Sequence, residues 1–138
     1  MAKTMLVEIL TPERVFFKGE VEEIIVLSID GETGILPDHR QMINALDIGP
    51  MRMRIGGEWK EAALSGGFLV VAHNEVHMMV QSALWPEEVD VARSEEMRAR
   101  SEEALRQKQS REEYLRNKAM LARAMVRLRV TNKINHLS

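Results

Sequence analysis

The chain has 138 residues, 45% of them hydrophobic, a formal net charge of −2 and no cysteine. That length suits one ordinary domain with an appendage, and the lack of cysteine excludes a disulfide framework and any thiolate metal site. No stretch approaches the roughly 18 apolar residues of a membrane span, and MAKTMLVEILTPE lacks the apolar run of a secretory leader, so a soluble or at most peripheral protein is expected.

The small net charge conceals an asymmetry. Residues 1–86 carry 7 Lys/Arg against 12 Asp/Glu, whereas residues 87–138 carry 12 against 9. Glu113 is the last acid, and Arg116, Lys118, Arg123, Arg127, Arg129 and Lys133 follow it. Such a tail favours an anionic partner.

From residue 5 to about 81 the pattern is that of short strands, beginning with residues 7–10, 15–17 and 21–28. Residues 51–55 alternate strictly, Gly56-Gly57 supplies a turn, and residues 58–64 return, which describes a hairpin with one buried face. Ser65-Gly66-Gly67 is expected to break the pattern. Residues 68–72 and 76–80 then flank His73-Asn74-Glu75 as a second hairpin. Strands at this spacing predict an all-β sandwich or barrel over residues 1–86.

After Pro86 the period changes from 2 to 3.6 and the composition becomes Ala, Glu, Arg, Leu, Met and Lys, all good helix formers. Asp90 is placed to cap a first helix running to about residue 105. Lys108-Gln109 marks a break, and Ser110 with Glu113 forms a capping-box pattern for a second helix to about residue 130. Two antiparallel helices over residues 87–138 make a helical hairpin. Its expected apolar face is thin: Val89, Ala92, Met97 and Ala99 against Leu115, Ala119, Leu121, Ala122, Met125, Val126 and Leu128. At about 25 cal/mol per Å² such small residues contribute little, so the hairpin is expected to be marginally held and able to occupy two arrangements.

Several catalytic patterns fail on geometry. His73 and His77 have helical metal-ligand spacing but fall in a strand region, where residues four apart are separated by roughly 13 Å. Gly31, Gly34, Gly56, Gly57, Gly66 and Gly67 lie between strands, which fits turns and not a phosphate-cradling strand-to-helix loop. Ser65 lacks a nucleophile elbow and a histidine partner. No metal site, cofactor requirement or enzymatic activity is expected. The arginines are more informative, although a lone exposed arginine is usually a solvated one. Arg116, Arg123 and Arg127 share a face of the second helix, and Arg93 and Arg100, seven apart, share a face of the first. A closed hairpin could gather these guanidiniums around a polyanion, with Asp90 available to a hydroxyl or amino group.

Nearly the whole chain resembles the epsilon subunit of bacterial F-type ATP synthases. The residues that carry the likeness are Thr11-Pro12-Glu13-Arg14, Gly31-Glu32-Thr33-Gly34-Ile35-Leu36-Pro37-Asp38-His39, Ala45-Leu46 with Gly49, and Ser65-Gly66-Gly67-Phe68-Leu69, in the family's order. The resemblance implies a β-sandwich that binds the gamma subunit and touches the membrane rotor ring of c subunits, with Glu32 and His39 facing the ring. It further implies a two-helix domain that lies folded on the sandwich or extends into the catalytic head. There Arg116, Arg123 and Arg127 would meet an acidic segment of the beta subunit and inhibit ATP hydrolysis.

Some bacterial members also bind ATP in the folded hairpin as a regulatory ligand. Val89-Asp90-Val91-Ala92-Arg93-Ser94 is similar to their motif, and Arg100, Arg123 and Arg127 fall where further arginines are expected. The chain departs from the pattern at Val89, Ser94 and Leu84, the last standing where binding members carry a glutamate. The role implied is a non-catalytic rotor subunit that couples proton transport to ATP synthesis at the cytoplasmic face of the bacterial inner membrane. A free-standing ATP-sensing module is the alternative that the same arginines allow. A nucleic-acid partner is disfavoured, since the chain is acidic overall and its helices carry only Tyr114 for stacking.

Overall fold

The computed structural model describes residues 3–137, with side chains described through residue 132. Eight strands come first: β1 (Met5–Leu10), β2 (Val15–Val21), β3 (Glu23–Ser28), β4 (Gly31–Ile35), β5 (Met42–Leu46), β6 (Gly49–Ile55), β7 (Glu58–Ala72) and β8 (Glu75–Leu84). A 3₁₀ turn over Pro86–Glu88 leads to helices α1 (Val91–Arg106) and α2 (Arg111–Leu137). The strands form a β-sandwich, and the helices pack on one another as a hairpin.

Alternation builds the sandwich. β1, β3, β6 and β8 each bury every second residue over most of their length, which follows from a period-2 strand with one face turned to the core. The buried set includes Met5, Val7, Ile9, Ile24, Val26, Met51, Met53, Leu69, Val71, Val76 and Met78. β1 pairs antiparallel with β2 and parallel with β8, and the path continues through β7, β5 and β3 to β4. The long strand β7 serves both layers: its first half pairs with β6 and its second half with β5.

Several boundaries differ from the sequence-based expectation. Ser65-Gly66-Gly67 does not interrupt a strand; all three lie inside β7. Gly67 is needed there because a Cβ would lie 2.0 Å from the carbonyl oxygen of Met79 on β8, so close backbone approach has replaced the expected turn. Gly31 and Gly34 are likewise strand residues, paired in β4 with Ser28 and Ile25 of β3. Only Gly56-Gly57 forms the turn expected of it, at φ 58° and 79°. Residues 21–28 split at Glu22 into the end of β2 and all of β3. The β7–β8 turn is the pair His73-Asn74, both at positive φ, and Glu75 already belongs to β8. α2 continues to Leu137, beyond the expected end near residue 130.

The hairpin turns a different face of α1 inward, while Val126 and Leu128 of α2 are buried as expected. On α1 the buried residues are Ser94 and Ser101, whereas Ala92 and Ala99 are exposed. On α2 the buried residues are Ala124, Val126, Leu128 and Val130, while Leu115 and Met125 are about half exposed. Both stripes of α1 are small enough for close approach to α2, so side-chain size does not choose between them. Asp90 caps α1 by accepting from the Arg93 amide at 3.0 Å. Ser110 caps α2 by accepting from the Glu113 amide at 3.1 Å and donating to the Glu113 carboxylate at 3.0 Å.

Candidate functional site

The hairpin lies folded against the sandwich, with α2 packed on β6, β7 and the 3₁₀ turn. The apolar seam is small: Ala63 of β7 with Val126 and Val130 of α2, flanked by Ile48 and Val89. The 3₁₀ turn itself is firmly fixed. Pro86 is buried, the Trp85 ring stacks on Phe16 with centroids 4.4 Å apart, and Glu88 forms a two-pronged ion pair with Arg14 at 2.8 and 2.9 Å. One Glu88 oxygen also accepts from the Trp85 amide at 2.9 Å.

Where the fixed turn meets the helices there is a cavity of about 280 Å³, lined by Leu84, Glu88, Asp90, Arg93, Ser94, Met97 and Arg127. Its lining carries two carboxylates, Glu88 and Asp90, and two guanidiniums, Arg93 and Arg127. Arg127 is half-buried, and its guanidinium is held below the usual arginine pKa by desolvation first and then by repulsion from Arg123 and Arg93. Its polar contact with the sandwich is a 3.4 Å donation from Nη2 to Ser82 Oγ. Among the described residues, none of Arg93, Arg123 and Arg127 has a carboxylate partner within ion-pair distance. The acid nearest in role, Glu88, is occupied by Arg14, which holds its carboxyl below the ordinary glutamate pKa. With Glu88 neutralised by Arg14, the three guanidiniums outnumber the one remaining carboxylate, Asp90, an arrangement that favours an anion.

The residues expected from sequence divide clearly. Asp90, Arg93, Ser94 and Arg127 line one cavity, and Arg123 stands close enough to act on Arg127. Val89 lies beside them in the apolar seam. Arg100 is not gathered in: it sits on an exposed part of α1, two turns or about 10 Å beyond Arg93, in a 2.6 Å ion pair with Glu96. Arg116 is exposed on α2, away from the cavity. His73 lies in the β7–β8 turn and His77 on β8, where its ring nitrogens approach Glu8 at 3.2 Å and Glu75 at 3.5 Å. Sequence reasoning missed Arg14, Phe16, Trp85 and Ser82, which secure the cavity's rim. Only Trp85, a large aromatic at the domain junction, gave any sign of it.

The family description "ATP synthase, Delta/Epsilon chain, beta-sandwich domain" matches residues 4–86, and "ATP synthase, Delta/Epsilon chain, long alpha-helix domain" matches residues 87–132. The chain belongs to the ATP synthase delta/epsilon chain family. An ATP synthase epsilon chain from Caldanaerobacter subterraneus subsp. tengcongensis is 43% identical over 138 residues, 99% of this chain and 100% of that one. Another, from Caldicellulosiruptor saccharolyticus, is 44% identical over 89% of this chain and 90% of its own. Both are named as ATP synthase epsilon chains. The fold recurs in a chain of the Euglena gracilis mitochondrial ATP synthase (OSCP, F1 and c-ring), at a TM-score of 0.76 and 19% identity over 86% of this chain and 76% of that one. It recurs too in the Tetrahymena thermophila mitochondrial central stalk and c-ring, at a TM-score of 0.69 and 16% identity over 94% and 98%.

Two further surfaces matter for an epsilon chain. On the outer face of the sheet, Ala45, Phe68 and Met79 are neighbours across β5, β7 and β8, with Ile43 and Val70 paired in the next row. Ile43 is 78% exposed, and Phe68 and Met79 are about half exposed, so this is a contiguous apolar patch on an otherwise charged sandwich. Glu32 and His39 do not form one cluster. Glu32 projects from the start of β4 in a 3.2 Å ion pair with Arg52, while His39 lies beyond the other end of β4, its Nδ1 2.8 Å from the Arg40 carbonyl oxygen.

Proposed function

We propose that this chain works as the regulatory and coupling subunit of a proton-driven ATP synthase, at the cytoplasmic face of a bacterial inner membrane. The sandwich docks on the gamma subunit through the apolar patch around Phe68 and Met79. Glu32 and His39, at opposite ends of β4, offer polar contacts to the ring of c subunits. ATP, bound but not hydrolysed, holds the hairpin folded through Arg93, Arg123 and Arg127, with Asp90 and Ser94 at the cavity wall. When the hairpin is released, Arg116, Arg123 and Arg127 become available to an acidic segment of the beta subunit, and the extended arm inhibits hydrolysis.

The observation that carries this is the state of Arg127: half-buried at the seam, repelled by Arg93 and Arg123 and, among the described residues, in ion-pair contact with no carboxylate. An anion would relieve that repulsion and favour the folded arm by mass action. Because Arg123 and Arg127 serve both arrangements, ligand and beta subunit compete for the same charges, which is what a switch requires. Deleting residues 87–138 is expected to leave a folded sandwich that still binds gamma and to raise ATP hydrolysis by the reconstituted enzyme. Unchanged hydrolysis would remove the inhibitory role, and failure to co-purify with gamma would remove the stalk role in favour of a free-standing sensor.

A further inference from the structure

We propose that a groove on the other side of α2, between the hairpin and the sandwich, binds a monomeric fatty-acid-like anion, with its single carboxylate on Arg129. The groove shares no lining residue with the cavity beside the 3₁₀ turn, so this site is independent of the nucleotide reading. Arg127 lines that cavity, whereas Met125 and Arg129 line the groove. Each is two residues from Arg127 and therefore about 160° round the helix.

The groove has a volume of about 890 Å³, within the roughly 300–1,000 Å³ of small-molecule sites. One wall belongs to the sandwich: Leu27 of β3, with Ile48 and Pro50 at the start of β6. Gly49 lets that wall close up, since a Cβ there would lie 2.7 Å from Leu27 Cδ2. The opposite wall is α2, where Ala122, Met125, Val126 and Arg129 share one face at i, i+3, i+4 and i+7. From Ala122 to Asn132 the wall runs about 15 Å along the helix axis, a shape that accepts an extended apolar chain. Met125 is half exposed along it, and its flexible thioether adapts to such a chain.

Charge places the head group. α1 contributes Glu95 and Arg98, but these neutralise one another at 2.7 Å, and Glu102 approaches the same guanidinium at 3.4 Å. That wall has no spare positive charge for a second anionic group. Arg129 differs: it is exposed, and among the described residues its guanidinium has neither an ion pair nor a hydrogen bond. It also borders a smaller cavity with Glu32 and Glu61, where Glu32 is held by Arg52 at 3.2 Å. A free guanidinium receives a carboxylate through two parallel, charge-assisted hydrogen bonds, and Asn132 adds an amide donor about one turn further along. A ligand lying here touches the sandwich, α1 and α2 together, so it favours the folded arm by mass action.

The test is calorimetry on the full chain with dodecanoate below its micelle concentration, its shorter homologue decanoate, and dodecyltrimethylammonium, a cation with the same tail. Dodecanoate is expected to bind about tenfold or more tightly than the ammonium and to exceed decanoate by roughly fourfold for each methylene buried. Arg129→Gln and Met125→Glu, both at exposed positions, are expected to weaken dodecanoate about tenfold, while Arg93→Ala in the other cavity leaves it unchanged. With isotope-labelled methionine methyls, dodecanoate should shift the Met125 resonance, assigned by Met125→Leu, and leave Met79 on the outer face of the sheet in place. Equal binding of carboxylate and ammonium, or of wild type and Arg129→Gln, would reduce the groove to a non-specific apolar surface and overturn the proposal. A shift at Met79 with none at Met125 would put the ligand elsewhere. Absence of dodecanoate binding would remove the site and leave the nucleotide reading as it stands.

Discussion

Arg127 on α2 donates to Ser82 on β8 across 3.4 Å, and Ser82 shares a 2.7 Å hydrogen bond with the buried hydroxyl of Ser65 on β7. This polar contact between arm and sandwich is long and weak, while the pair beneath it is short and enclosed. Releasing the arm costs little at this contact, and the sandwich keeps its own hydroxyl pair when the arm leaves.

Replacing Ser82 with alanine should act mainly on the sandwich. It strands the Ser65 hydroxyl in the interior, at about 1–3 kcal/mol, which urea unfolding of the full chain would detect. The double variant Ser65→Ala/Ser82→Ala removes both partners and should recover most of that loss. If single and double variants unfold alike, the pair is not a stabilising unit.

Ser101 is a second hydroxyl of interest, because it is 1% exposed between α1 and α2 and its oxygen has no hydrogen-bond partner among the described residues. Ser101→Ala removes a buried unsatisfied group and places a better helix former in α1. The hairpin should gain about 1 kcal/mol, seen as slower amide exchange in α1 and α2.

The apolar seam sets the opposite lever. Val130 is fully buried against the sandwich with Val126 and Ala63. Val130→Ala removes two methyl groups, at about 2 kcal/mol including the cavity left behind. The core of the sandwich should keep its stability while α2 becomes more accessible to limited proteolysis. Loss of sandwich stability by the same amount would mean that arm and sandwich unfold as one unit.

Acid should loosen the arm's anchor. Arg14 holds the Glu88 carboxyl below the ordinary glutamate value of 4.5, so the folded form binds the proton less readily than the unfolded one. That contribution is complete above pH 4.5 and is lost as the pH falls through the lowered value. Both side chains are partly exposed, so the pair contributes only about 0.2–1 kcal/mol. Trp85 fluorescence, sensitive to its stack on Phe16, should change in this acid range in the wild type and lose that step in Arg14→Gln.

Much of the sandwich was legible because strict alternation at Met5, Val7 and Ile9, or at Met51 and Met53, leaves one solution for a half-buried strand. β4 was not, since Gly31-Glu32-Thr33-Gly34 has the composition of a turn and becomes a strand only by pairing with β3. Gly67 misled for a related reason: glycine marks both turns and close backbone approach, and only the neighbouring strand decides between them. On α1 two candidate stripes compete, one carrying Ala92 and Ala99 and the other Ser94 and Ser101. Hydrophobicity selects the first, yet the fold buries the second. In the cavity, Asp90, Arg93, Ser94 and Arg127 could be found by helical spacing. Arg14 and Ser82 could not, because the fold alone brings them from distant parts of the chain.

The anchored turn has a mechanical consequence. With Trp85, Pro86 and Glu88 clamped to the sandwich, the first joint beyond the clamp is Val89-Asp90, directly at the cavity rim. Beyond that joint lie helices of 16 and 27 residues, a lever of roughly 65 Å if laid end to end at 1.5 Å per residue. Small rotations at the fulcrum become displacements of tens of ångströms at the tip. A ligand placed beside the pivot therefore controls the far end of the arm without having to reach it.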